Sequence, residues 1–252
     1  MFSILTVIFI TGLAFGSFAS VIIHRLHTQE KGMLMGRSKC PKCAHTLGVV
    51  DLIPLVGYLV NQFKCRYCKE PISLMYPFLE LFMGCSFFLT AALTGLDSIP
   101  LLVFNLLIAF VFVTLSFYDI LFKEVPDSVV LPAFIAALLF NATLGGFSLQ
   151  SLGLGVMVPV LFFATLFFAS RGKWLGGGDV RIGAMMGALL GWPGILVALF
   201  LAYLTGSVFS VIGLLTKKLT RKSQIPFAPF LILGTYITMF WQQELLSWYF
   251  GL

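Results

Sequence analysis

Two kinds of residue in this chain are spaced for chemistry. Cys40, Pro41, Lys42, Cys43 and Cys65, Arg66, Tyr67, Cys68 form two CxxC pairs with residues 44–64 between them. Four thiolates in two such knuckles can close a tetrahedral zinc site, at a separation just beyond the usual zinc-ribbon range; two disulfides are the alternative. Four protein ligands leave no open coordination position, so a zinc held there would be structural. The second kind are aspartates, in a chain with only ten acidic residues. Asp119 follows directly on an uncharged apolar stretch ending in Phe117 and Tyr118, and Asp179 closes the run Gly176, Gly177, Gly178. Ionisable groups at the edge of a hydrocarbon layer are costly and usually functional. Two carboxylates brought close cannot both ionise: one keeps its proton, and the pair offers an acid and a base that can activate water and protonate a leaving amine. Gly176 and Gly178 would let a substrate strand approach the backbone without side-chain obstruction. The same aspartates could equally cap helix amides or sit in interfacial water, and Asp127, after Pro126, is a candidate cap of that kind. Glu80 could orient a substrate amine or pair with a cation. His24, His27 and His45 have no evident nucleophile beside them and read as interfacial or solvated groups.

The elements that must position these residues belong in a bilayer. With 59% apolar and 10% charged residues and a mean hydropathy of +1.01 over 252 residues, the chain has too little polar surface to solvate a soluble globule of its size. A membrane-crossing helix needs roughly 20 mostly apolar residues. Met1 to Ile23, Ile99 to Tyr118, Leu152 to Ser170 and Ile195 to Leu215 carry no charge; Pro77 to Thr94, Val129 to Gly146 and Pro226 to Trp241 are weaker candidates. Ile182 to Leu190 reads as a short helix ending at the turn Gly191, Trp192, Pro193, Gly194. The expectation is an all-α polytopic membrane protein of about eight transmembrane helices with a small cytosolic zinc-binding insert.

Threaded alternately, eight spans place all sixteen Lys and Arg residues on one side, which the retention of cations in cytoplasmic loops makes the inside. The insert then lies where thiols stay reduced, which favours zinc over disulfides. Both aspartates fall at that same face. The net charge of +6 needs no nucleic acid to explain it, because the inner loops account for every cation. The first basic residue, Arg25, follows the first apolar core, so this span reads as a retained anchor and not a cleaved signal. Three parts result: a first span over residues 1–23, a cysteine-bearing insert over 24–75 that is too small to fold without a staple, and a seven-span bundle over 76–252. Gly183, Gly187 and Gly191 form a stripe that would let a neighbouring backbone come close.

The chain resembles the type IV prepilin peptidases, membrane aspartic enzymes of the GxGD class. The resemblance runs through Gly16, Ser17 and Phe18, the RSxCPxC stretch from Arg37 to Cys43, the CRYC of Cys65 to Cys68, and the YPxxE of Tyr76 to Glu80. It continues through Asp119, Pro126 and Asp127, the GGGDVR of Gly176 to Arg181, and the IPFxPFL of Ile225 to Leu231. It implies that Asp119 and Asp179 are a catalytic pair, with Gly176 and Gly178 in the catalytic loop, cutting a short basic leader from prepilins or pseudopilins at the cytoplasmic face of a bacterial inner membrane. Such enzymes serve type IV pilus or type II secretion systems. Many members also methylate the exposed amino terminus with S-adenosylmethionine, an activity associated with the first span and the cysteine insert; 24–75 is then the methyltransferase-associated region and 76–252 the peptidase bundle. The chain departs from the usual pattern at Ser20, Phe63, Arg181 and Ala228, where the family has Asn, Gly, Lys and Gly. A peptidase without methylation and a non-enzymatic assembly or transport component are the competing readings.

Overall fold

Backbone amides inside a hydrocarbon layer must be satisfied within their own segment, and a chain this apolar meets that demand with helices. The computed structural model describes residues 2–29, 36–173, 175–220 and 223–250. Among the described residues eight α-helices follow in order: α1 (Phe2–Thr28), α2 (Val56–Val60), α3 (Met75–Thr94), α4 (Ile99–Phe122), α5 (Asp127–Thr143), α6 (Leu149–Ser170), α7 (Gly177–Leu215) and α8 (Ala228–Phe250). Among the described residues there is no strand, only two isolated bridges, Lys39 with Thr46 and Lys64 with Pro71. The chain forms two units, residues 1–114 and 115–252, with the boundary inside α4.

Among the described residues five helices, α1 (from Ser3), α3, α4, α6 and α7, are long and apolar enough to cross a membrane, and α5 is a shorter apolar helix. The chain is thus a multi-pass membrane protein, and the expected count of eight spans is not reached on length and composition alone. The 39-residue α7 is not one rod. Gly191 (φ 60°) and Trp192 (φ −94°, ψ 137°) leave the helical region just before Pro193, which has no N–H to continue the ladder. On a straight helix Asp179 and Tyr203, 24 residues apart, would lie about 36 Å apart. Instead, adjacent residues of α6 meet both halves, Phe163 lying against Gly183 and Phe162 against Tyr203, so the second half of α7 doubles back along the first.

In the first unit α1 packs on α3 through glycines. A Cβ on Gly12 would lie 2.8 Å from Gly84 Cα, and one on Gly16 would lie 2.6 Å from Glu80 Cα. The second unit uses the same device, and the glycine stripe expected from the sequence is its seam. A Cβ on Gly183 would strike Phe163, one on Gly191 would strike Ser151 and Phe147, and Gly155 and Gly187 face each other across α6 and α7. These pairings run α6 antiparallel to the first half of α7. Gly234 on Ala198 and Ala202, with Gln242 beside Gly194, sets α8 antiparallel to the second half.

The break in α7 frees backbone groups, and polar side chains take them up. Asn141 of α5 donates to Ala188 O (2.7 Å) and Leu189 O (3.2 Å). Ser151 Oγ accepts from Trp192 N and donates to Trp192 O, each at 3.0 Å. With Asn141 at this end of α7 and Asp127 at the other, α5 runs parallel to the first half of α7. The starts of α5, α7 and α8 therefore gather at one end of the second unit.

Candidate functional site

Asp119 and Asp179 lie at that end, 6% and 8% exposed. Both sit inside helices: α4 runs on to Phe122, which places Asp119 in its last turns, and α7 begins at Gly177, which makes Asp179 its third residue. Glycines are poor helix formers and read as a loop in sequence. Here Asp179 reaches back and caps the turn itself, its Oδ2 accepting from Gly176 N at 3.1 Å. An anionic side chain in a first turn also complements the helix dipole. Asp119 Oδ2 accepts from Ala228 N, the first residue of α8, at 2.9 Å. Among the described residues neither carboxylate takes another hydrogen bond, so each keeps its second oxygen unengaged by the protein. The two groups are near enough to repel each other electrostatically.

Two contacts hold the turn before α7 against the segment between α4 and α5. A Cβ on Gly178 would lie 2.5 Å from Val125 Cγ2 and 2.6 Å from Val125 Cβ, so only glycine fits this approach. Gly176 differs, since a Cβ there would meet Asp179 Oδ2 and Gly178 N at an ordinary 3.9 Å; it contributes its amide. Arg181 pairs with Asp127 across the same seam. At 40% and 53% exposure this pair adds at most about 1 kcal/mol of stability and serves mainly as register. The expected capping role of Asp127 is not found. Pro126 is the residue before α5, no side chain caps that helix, and the Asp127 carboxylate is taken up by Arg181.

In the first unit the four cysteines come together. Cys40 and Cys65 are buried, Cys43 and Cys68 are exposed, and the four Sγ atoms lie within 4.8 Å of one another. The two knuckles repeat one backbone design. Cys40 N donates to His45 O and Ala44 N to Cys40 O; Cys65 N donates to Glu70 O and Lys69 N to Cys65 O. Ala44 and Lys69, each four residues after the first cysteine of its pair, both adopt positive φ. Cys40 and Cys68 Sγ are 3.9 Å apart, far from a bonded S–S distance and close to the ~3.8 Å edge of a tetrahedron with zinc–sulfur bonds of ~2.3 Å. Burial opposes ionisation of Cys40, but amide hydrogen bonds from Cys43 and Lys42 and side-chain bonds from Cys43 and Cys65 outweigh it and bring the thiol down to about 7. The Glu70 amide favours the Cys68 thiolate, yet burial and the other three thiols push it up to about 11. The protein alone favours ionisation of one sulfur and opposes that of another, and a cation in their midst would remove the conflict. The donor set fits a structural divalent metal.

The sequence gives no hint of a network that braces this insert. Asp51 accepts from Gly48 N (3.0 Å), Asn61 Nδ2 (3.1 Å) and Tyr67 Oη (3.4 Å), and the rings of His45 and Tyr67, one from each knuckle, lie against each other with centroids 3.7 Å apart and a tilt of 32°. Glu80, 8% exposed, accepts from Leu55 N at 2.8 Å and so ties α2 to α3. No cation pairs with it among the described residues. Glu80, Asp51, Asn61, His24 and Arg25 line a cavity of about 490 Å³ in the first unit, within the size range of small-molecule sites.

A multi-pass helical membrane protein with two buried, separately anchored carboxylates and a four-cysteine cluster is a narrow class. Residues 10–94 match the bacterial peptidase A24 N-terminal domain, and residues 106–211 match the type IV leader peptidase family. The chain is 31% identical to a prepilin leader peptidase/N-methyltransferase of Aeromonas hydrophila, over 97% of this chain and 93% of the relative. It is 31% identical to one of Bacillus subtilis over 97% of both, and 30% identical to one of Legionella pneumophila over 95% and 92%. No solved structure matches. The chain belongs to the type IV leader peptidase family.

Proposed function

We propose that this protein cleaves the leader peptide from prepilins or pseudopilins with Asp119 and Asp179 as its catalytic dyad, at the cytoplasmic face of a bacterial inner membrane, and then methylates the new amino terminus. The observation that carries the peptidase half is the geometry of the dyad: two buried carboxylates at one end of the bundle, each fixed by one backbone amide and each keeping an oxygen for chemistry. With one carboxyl protonated and the other ionised, the ionised group takes a proton from water as that water attacks the scissile carbonyl. The protonated group polarises the carbonyl oxygen and keeps its proton, and as the C–N bond breaks the first carboxyl passes the proton it took from water to the departing amine, which returns the pair to its starting state. Gly178 keeps the turn before α7 against Val125, so the aspartate that follows it cannot drift from its partner. On this reading the two halves of α7, α5 and α8 also count as spans, which would make eight and, by the retention of cations in inner loops, would place the end of α4 and the start of α7 that carry the aspartates on the cytoplasmic side.

The relatives' names support the second activity. S-adenosylmethionine supplies an electrophilic methyl group, and the cavity of the first unit has the size and mixed polarity to receive such a donor. Glu80, anchored through one oxygen to Leu55 N, is assigned to orient the substrate amine there. Cys40, Cys43, Cys65 and Cys68 would hold a zinc ion that keeps the insert folded and takes no part in either reaction.

The test is cleavage of a prepilin-like substrate by purified protein in detergent, comparing wild type with Asp119→Asn and Asp179→Asn, each checked for folding. Folded, inert variants support the dyad. Cutting at the wild-type rate by either one removes it. The mass of the mature product then reports methylation, since a product lacking one methyl group with donor present would confine the protein to proteolysis.

A further inference from the structure

Tyr203 Oη plays no part in the scheme above. It is buried and, among the described residues, is the one buried side-chain nitrogen or oxygen with no hydrogen-bond partner. Buried phenols normally find a partner, because leaving a hydroxyl unpaired away from water is costly. A group left open in an otherwise satisfied bundle calls for a cause, and a role in chemistry is one of the few available.

Its surroundings locate it. The ring is held between Phe162 (centroids 5.9 Å apart, interplanar angle 85°) and Phe227 (5.2 Å, 54°). Phe227 immediately precedes Ala228, whose amide fixes Asp119. The Asp179 carboxylate acts electrostatically on the phenol without a direct hydrogen bond to it. Chain geometry agrees: Asp179 stands 12 residues before Gly191 and Tyr203 11 residues after Trp192, about 18 and about 17 Å of helix from the break, so the two arrive at one level when α7 doubles back. The ring is therefore held next to the residue that precedes the anchor of Asp119 and at the level of α7 where Asp179 stands, with no hydrogen bond from the hydroxyl to either carboxylate.

We propose that Tyr203 is a further catalytic residue of the peptidase, its hydroxyl donating a hydrogen bond to the carbonyl oxygen of the scissile peptide. This rests on the assignment of Asp119 and Asp179 as the dyad. The dyad supplies acceptors and a single proton, whereas attack by water moves an electron pair onto the carbonyl oxygen and creates an oxyanion in a shell of phenylalanines. A fixed donor waiting there gains strength as that charge develops, and its own O–H bond stays intact throughout. No protein group partners it, and on this proposal the substrate's carbonyl oxygen does.

Tyr203→Phe removes only the oxygen and keeps the ring between its two neighbours. The measurement is kcat and KM for leader cleavage by the full-length variant in detergent, expressed per folded protein, beside its melting midpoint and both Asp→Asn variants. The expected result is an unchanged midpoint, KM within about twofold, and kcat lowered by about 10²-fold, the order lost when one oxyanion donor is removed. If both Asp→Asn variants are inert while Tyr203→Phe keeps kcat within twofold of wild type, Tyr203 has a resident water as its partner and the proposal is overturned while the dyad stands. A loss of activity matched by a lower melting midpoint also overturns it, as a structural effect. If either Asp→Asn variant cuts normally, the dyad itself fails and the role of Tyr203 falls with it.

Discussion

Gly178→Ala isolates the contact that sets the dyad. The added Cβ would sit 2.5 Å from Val125 Cγ2 and 2.6 Å from Val125 Cβ, where carbon atoms want roughly 3.5–4.0 Å. The two segments must therefore separate by about 1 Å, since the contact is to a short branched side chain beside Pro126 that cannot swing aside. Overpacking of this kind costs about 1–3 kcal/mol of stability. The larger effect falls on function, because Asp179 is the next residue and a misplacement of about 1 Å can cost ~10²-fold in rate. The expected outcome is a protein that still folds in detergent, with a slightly lower melting midpoint and leader cleavage reduced by about 10²-fold. Gly176→Ala is the control: its Cβ meets nothing closer than 3.9 Å and its φ of −78° suits any residue, so cleavage should stay within a few-fold of wild type. Combining Gly178→Ala with Val125→Gly removes both clashing carbons and should recover much of the loss, giving a favourable coupling in a double-mutant cycle. Wild-type cleavage by Gly178→Ala alone, or no recovery in the double variant, would refute the claim that this approach positions Asp179.

Two further outcomes follow from the same geometry. Purified wild-type protein should carry about one zinc per chain by elemental analysis, and Cys43→Ser should lose most of it, since three thiolates cannot close the site; a folded wild-type sample without stoichiometric zinc rules the assignment out. Asn141→Ala should lower thermal stability by about 1–2 kcal/mol, because it strips the Ala188 and Leu189 carbonyls of their donor next to the break in α7, and a melting curve in detergent indistinguishable from wild type would show that this bond is not needed.

What was legible in the sequence was whatever rests on residue type and short spacing. Two CxxC pairs announced a four-cysteine cluster, and the four-residue glycine spacing of α7 announced a close helix contact, since Gly183 and Gly187 admit nothing larger against α6. The turn at Gly191 to Gly194 was visible because glycine and proline punctuate helices. The edges were misjudged by a turn: Asp119 and Asp179 were expected beyond their helices and lie within them. Local propensity treats a glycine run as loop, but a cap made by Asp179 itself and contact with Val125 prevail over it. Relations between distant residues were not legible. Nothing near Asp119 points to Ala228, nothing near Asp127 to Arg181, and Tyr203 is one aromatic among many in an uncharged span until the chain folds back and leaves its hydroxyl alone.

The two readings the sequence allowed for the aspartates, helix caps or catalytic groups, turn out to be compatible. Asp179 secures the start of α7 through Gly176 N, and Asp119 secures the start of α8 through Ala228 N. Each bond uses one oxygen and fixes the direction of the other, which a carboxylate on a freely rotating side chain would not have. Removing either capping amide should therefore impair cleavage before it unfolds the chain. Ala228→Pro deletes the donor to Asp119 at the first position of α8, where proline is tolerated. It should retain most of the thermal stability while losing most of the activity, and a variant that is both stable and fully active would show that the cap does nothing for the chemistry.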